Sequence, residues 1–144
     1  MASITSANAV LTLAIIGLYP TPVRIQGFAT DDAWDSESVE IKQIRLGVDG
    51  NLSAGLVPAA TPMTIHLQAD SPSIIIFTTW DQTEQQIGDA MSAEGLLSIP
   101  SRKVQYVMQN GFLRNVKRIP DGRRVLEPQV FTIEWNTIIP SPTV

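Results

Sequence analysis

From Val130 to Asn136 the chain alternates without a break: Phe131, Ile133 and Trp135 share one parity, and Thr132, Glu134 and Asn136 share the other. Successive side chains of a strand point to opposite faces, so a half-buried β-strand gathers three large apolar groups at this spacing. The same period returns at Met63, Ile65 and Leu67, opposed by Thr64, His66 and Gln68. It returns again at Val104, Tyr106 and Met108, and over Val23–Phe28, where Val23 and Ile25 oppose Arg24 and Gln26. Ala9–Ile16 is a nearly continuous apolar run and reads as a buried strand, closed by a turn over Tyr19-Pro20-Thr21-Pro22. A chain with this pattern spread along its length is mainly β.

One segment departs from period two. Asp70-Ser71-Pro72-Ser73 is a helix start, with Asp70 or Ser71 as cap and Pro72 near the first helical position. At 100° per residue, Ile76, Trp80 and Ile87 form one stripe, Asp81, Gln85 and Asp89 lie opposite, and Gly88 is the stop. Trp80 and Trp135 therefore read as core, and Trp34 as a loop residue. The expected fold is one domain over residues 1–144, mainly β with a single α-helix.

The connections are less regular. Asp31 to Glu37 is acidic and reads as a loop. Val39 and Ile41 have one parity while Ile44 and Leu46 have the other, which predicts a bulge near Gln43. Gly47-Val48-Asp49-Gly50-Asn51 is turn chemistry. With the Gly- and Pro-punctuated stretch to Pro62, it predicts the tip of one long hairpin between strands 39–46 and 63–68. Residues 90–101 read as loop with room for a short helical turn, Asn110-Gly111 as a turn or bulge, residues 112–124 as a basic irregular segment, and the tail from Pro140 as a loose end.

Composition narrows the function. Lys, Arg, Asp and Glu make up 17% of the chain, below the roughly 25% usual in soluble domains, so uncharged groups cover more surface, as suits faces buried against neighbours. No cysteine is present, which excludes disulfides and thiolate metal sites. The apolar run Ala9–Leu18 has no Lys or Arg before it, so it does not read as a secretory signal, and it is too short to span a bilayer. The net charge of −4 is split: residues 1–100 hold three basic and eleven acidic side chains, residues 101–144 seven basic and three acidic. Opposite patches of this kind suit contact between copies.

Catalytic chemistry is not evident. His66 is the one histidine and sits on the polar face of its strand, with no second ligand or nucleophile beside it in the pattern. Asp31, Asp32, Asp35 and Glu37 lack calcium-loop spacing and read as a solvated loop. No phosphate-cradling glycine motif occurs. The run Arg114–Arg124 lacks interleaved aromatic residues for base stacking apart from Phe112 just before it, and a sequence pI near 4.8 opposes nucleic-acid binding. Its basic groups, Arg114, Lys117, Arg118, Arg123 and Arg124, are expected to meet the acidic residues Asp31, Asp32, Asp35 and Glu37 of a neighbouring copy.

The order of features resembles that of the tail-tube proteins of contractile-tailed phages. The shared sequence is a strand entering Gly47-Val48-Asp49-Gly50, a Gly/Pro loop, the strand Met63–Gln68, the helix start Asp70–Ser73 and the closing strand Val130–Trp135. The resemblance covers about residues 10–136. It implies a β-sandwich or barrel flanked by a helix, with subunits in hexameric rings stacked as a hollow tube through which DNA passes without specific binding. It also implies that adjacent sheets join to line the channel and that a hairpin tip over residues 47–62, including Gly47, Asp49, Gly50, Asn51, Leu56 and Pro58, reaches the next ring. The helix would pack outside the barrel. Sheath, baseplate and tape-measure proteins are the implied partners, the virion tail the location after assembly in the host cytoplasm, and no cofactor or membrane anchor is implied. A tube-initiating or baseplate ring of the same fold is an alternative, and a monomeric ligand-binding β-sandwich is one from another class.

Overall fold

The computed structural model describes residues 9–29 and 33–142. Seven antiparallel strands form the main sheet: β1 (Val10–Ile15), β2 (Tyr19–Ile25), β3 (Trp34–Ser36), β6 (Thr61–Leu67), β7 (Ala93–Ile99), β8 (Val104–Val116) and β9 (Gln129–Pro142). Their order is β2-β1-β7-β8-β9-β6-β3. A two-stranded hairpin, β4 (Lys42–Leu46) and β5 (Leu52–Leu56), stands apart, and α1 (Ile74–Ile87) is the one α-helix among the described residues.

The sheet curls until its two flanks meet. Just past β2, Phe28 bridges Leu67 of β6, the Ala29 N–H donates to the His66 carbonyl at 2.9 Å, and the Gln68 N–H donates to that of Gly27 at 2.9 Å. The flanks meet at this bridge, while β2 and β3 remain the outer strands of the sheet. The short β3 lies along the rest of β6, with Trp34 opposite Ile65.

Period two decides what lies inside. Leu11, Leu13 and Ile15 of β1, Met63, Ile65 and Leu67 of β6, and Phe131, Ile133 and Trp135 of β9 all point into one core. Each large side chain removed from water contributes roughly 1.5–3 kcal/mol. Trp135 fits only because β8 carries Gly111 beneath it: a Cβ there would sit 2.3 Å from the indole ring.

The helix flanks the barrel and turns one face into its core, leaving the opposite face in solvent. Ile76, Phe77 and Trp80 join the strands' core, and the Phe77 ring stacks on inward-facing Phe131 at 4.6 Å. Two expected positions on the helix change. Ile87 is 58% exposed, and Asp81 is only 7% exposed. The helix begins at Ile74, and Ser73 before it makes no side-chain cap bond. The two serines flanking Pro72 clamp the end of β2: Ser71 Oγ donates to the Gln26 carbonyl, and Ser73 Oγ accepts from the Gln26 N–H at 2.8 Å. Gly27, at φ 75°, makes that approach possible, since a Cβ would lie 2.6 Å from Ser71. The helix ends as expected at Gly88, which is left-handed and donates to the Glu84 carbonyl at 2.9 Å.

Several connections differ from expectation. Tyr19–Pro22 belongs to β2, an outer strand whose pairing to β1 shifts register there, a position that tolerates proline; the turn is Ile16–Leu18, with Gly17 at φ 86°. Residues 93–99, read as loop, form β7 between β1 and β8. Residues 112–116 continue β8 past Asn110, whose φ of 53° marks an extra residue against β7, the expected bulge. Pro140 and Pro142 are held in β9 opposite Tyr106 and Val104. Residues 34–36 of the acidic segment are strand β3, where Trp34 packs edge-on against Phe28.

Candidate assembly surfaces

The long hairpin is built differently from its expectation, and its apolar groups are the clearest functional feature. Strand 63–68 pairs with β9 and β3, while β4 finds its partner in β5, so the arm is an independent ribbon over residues 42–56 with a tip at 47–51. Its register is unbroken from Lys42–Leu56 to Leu46–Leu52, and no bulge occurs at Gln43. The parity change arises because Val39 and Ile41 precede the strand.

The tip is well made. The Gly47 N–H donates to the Asn51 carbonyl at 2.7 Å, Gly50 adopts φ 85°, and Asp49 accepts from the Asn51 N–H at 3.1 Å and from its side-chain amide at 2.9 Å. Those bonds, the backbone one foremost, hold the Asp49 carboxyl below its ordinary value.

Cross-strand pairing sorts the arm into two faces. Gln43, Arg45, Ser53 and Gly55 share one. Ile44, Leu46, Leu52, Ala54 and Leu56 share the other with Lys42. The four large aliphatics are 61–81% exposed, and Val48 at the tip stands fully in solvent. A lone two-stranded ribbon is marginal in water, and large apolar groups lined up on one exposed face make this ribbon a candidate contact surface. The alternation of 42, 44 and 46 was available in the sequence. That β5 exists, and that no other described residue covers this face, was not. Leu56 lies on the apolar face, and Pro58 lies on the exposed return to β6.

Several of the charged groups also meet partners within their own chain. Residues 117–128 fold as a strap closed by the Gly122–Leu126 bridge and a bond from the Glu127 N–H to the Asp121 carbonyl at 3.0 Å. Within or beside it, Lys117 meets Asp121 at 3.2 Å, Arg123 meets Glu127 at 3.7 Å, and Arg114 of β8 meets Glu134 at 3.9 Å. Arg118 binds the buried Asp81 through two bonds, Nε to Oδ2 at 2.8 Å and Nη2 to Oδ1 at 3.2 Å, tying the strap to the helix. That pairing holds the Asp81 carboxyl below its ordinary value and raises the guanidinium. Of the five basic residues, Arg124 alone makes no ion pair among the described residues. On the acidic side, Asp35 Oδ2 lies 3.1 Å from His66 Nε2, Glu37 is exposed, and Asp31 and Asp32 lie outside the described residues. His66 shares a groove with Arg123 and Glu127, so the acidic and basic segments adjoin one another on one flank of the same molecule.

At the barrel end away from the helix, no described residue fills the space between the strands. There Trp34, Met63, Ile99, Tyr106, Met108 and Ile138 surround an apolar cavity of about 270 Å³. Opposite ends follow from the register: Phe131, under the helix, pairs with Val116, whereas Ile138 pairs with Met108 further along β8. Among the described residues, no three His, Asp or Glu side chains converge as metal ligands, and no helix is long and apolar enough to cross a membrane.

Solved structures share this fold. A chain of the anti-feeding prophage baseplate superposes with a TM-score of 0.63 at 10% identity, covering 99% of this chain and 97% of that one. A chain from the sheath/tube terminator of an extracellular contractile injection system gives 0.63 at 11% identity, covering 98% of each. One from the anti-feeding prophage tube-terminating cap gives 0.62 at 10%, covering 99% and 93%. The fold is thus the tail-tube-like one that the sequence resemblance implied, found in structural parts of contractile injection systems. No curated protein matches the chain in sequence. The family model of tail fiber protein gp32 matches residues 2–139, and the chain belongs to that family.

Proposed function

We propose that this chain is a single tube-like domain that works as a non-enzymatic structural subunit of a contractile phage tail, joining six copies in a ring that stacks on its neighbours. The observation that carries this reading is the arm: a ribbon with four exposed aliphatics on one face, attached to a closed barrel. A monomer gains nothing from such a surface, whereas a ring buries it at every contact. The net charge of −4 suits a lumen through which DNA slides, because phosphates are not held there. Sheath, baseplate and tape-measure proteins would be the partners, in a virion tail assembled in the host cytoplasm.

A ring at the baseplate or at the tube end is the second reading, favoured because the similar structures include baseplate, terminator and cap chains. The family name points to the tail as well, although to its fibers.

The test is the mass of the purified chain in solution, with negative-stain images of the same sample. Rings or stacked cylinders about six copies around are expected. A monomer that persists at all concentrations would sink the self-assembling ring. Capped rings that never stack would favour the terminal position over the tube.

A further inference from the structure

We propose that the open apolar mouth of the barrel is the socket for the arm of a second copy, so that each subunit offers its tip to one neighbour and receives the tip of another. The proposal rests on the ring reading above and names the contact that would build it. The socket is lined by Trp34, Ile99, Tyr106 and Ile138, with Met63 and Met108 below. Its volume of about 270 Å³ is room for roughly two aliphatic side chains, since a cavity of about 150 Å³ is what one lost leucine can leave. The chain's own core does not fill it.

The same molecule exposes the matching groups. Leu46 and Leu52 pair across the distal end of the arm, and Val48 projects at its tip. The charges agree as well. Arg102 and Lys103 stand exposed in the turn directly after Ile99, at the socket's rim, and Asp49 is next to Val48. A tip seated with its valine inward brings the carboxylate to the basic rim.

Placement then decides the symmetry. β3 ends at Ser36 opposite Met63, and β6 begins at Thr61 opposite Trp135, so the arm leaves the barrel at the mouth end. Each paired limb spans about 17 Å, five residues at the usual rise. Root and socket at one end put donor and acceptor side by side with parallel barrels, a head-to-tail contact that closes into a ring when the rotation permits. In this arrangement Gly47–Pro58 joins neighbours within a ring and does not bridge successive rings.

The chain has no cysteine, which makes the test direct. The double variant Val48→Cys/Ile138→Cys is oxidised and run on a non-reducing gel. A ladder extending beyond two copies is expected, and neither single variant should give one. Cross-linking that stops at dimers would overturn the head-to-tail arrangement in favour of face-to-face exchange. An internal disulfide would show that the arm fills its own mouth. No cross-link in a sample whose wild-type protein forms rings would overturn the socket and leave the ring reading standing. A wild-type monomer at every concentration would remove both. Because Val48 is fully exposed, Val48→Asp leaves the fold intact, and it should raise the concentration needed for assembly about tenfold or more. Unchanged assembly of that variant would also overturn the socket.

Discussion

The barrel and the arm use the same kinds of residue to opposite ends. In β9, Phe131, Ile133 and Trp135 alternate with polar groups and are buried by the strands and helix around them. In β4, Ile44 and Leu46 alternate with Gln43 and Arg45 just as regularly, yet their face lies open. Pattern alone makes an amphipathic strand in both places. The difference lies in whether the chain supplies a second layer. The barrel closes upon itself through Phe28 and Leu67, while β4 has only β5 beside it. Substitutions should therefore register as lost folding in the one and as lost association in the other.

The largest effect is expected at Phe131→Ala, which leaves a cavity beneath Phe77. Unfolding in denaturant should show a loss of about 4 kcal/mol. A loss under 1 kcal/mol would mean that the helix does not pack on Phe131 through Phe77.

Next comes Asp81→Asn, which breaks the tie between helix and strap. The folded carboxyl lies below its ordinary value of 3.8, so the stability it contributes is present above that pH and is lost as pH falls through the folded value. Wild type should exceed the variant in Tm at pH 7, and the gap should close in acid. A gap independent of pH would assign the effect to packing.

The smallest effect on folding is expected for Leu46→Ser/Leu52→Ser in the arm. Tm of the unassembled chain should change by no more than about 0.5 kcal/mol equivalent, while sedimentation shows weakened association. A large fall in Tm would show that the arm contributes to the core after all. Arg118→Glu and Arg124→Glu sharpen the same division within the basic segment. The first should lower Tm because Arg118 pairs with Asp81, and the second should leave it unchanged.

Much of the barrel was legible because alternation survives wherever one face is buried. The strands at 63–67 and 129–135, the Gly88 stop and the burial of Trp80 and Trp135 were all readable on that ground. β7 was harder to read because Ala93, Gly95 and Ser98 are small and Leu96, on the outer face with Glu94, is exposed, so the alternation carries little signal. Asp81 misled because helical angle says which side a residue takes, not which distant chain arrives there. Arg118, 37 residues on, does arrive. The charge pattern alone also did not show that Arg114, Lys117, Arg118, Arg123 and Asp35 each have a partner within the chain.

What the sequence by itself determined is local: where strands run, which parity faces inward, where the helix stops and that no thiol chemistry is available. These follow from side-chain spacing and backbone freedom, which a residue carries wherever it goes. Tertiary structure alone decided that β6 pairs with β9 and not with β4, that one face of the helix joins the barrel core, and that no other described residue covers the arm's apolar face. Each depends on which distant segments come together, and burial is a property of that meeting and not of the residues that meet.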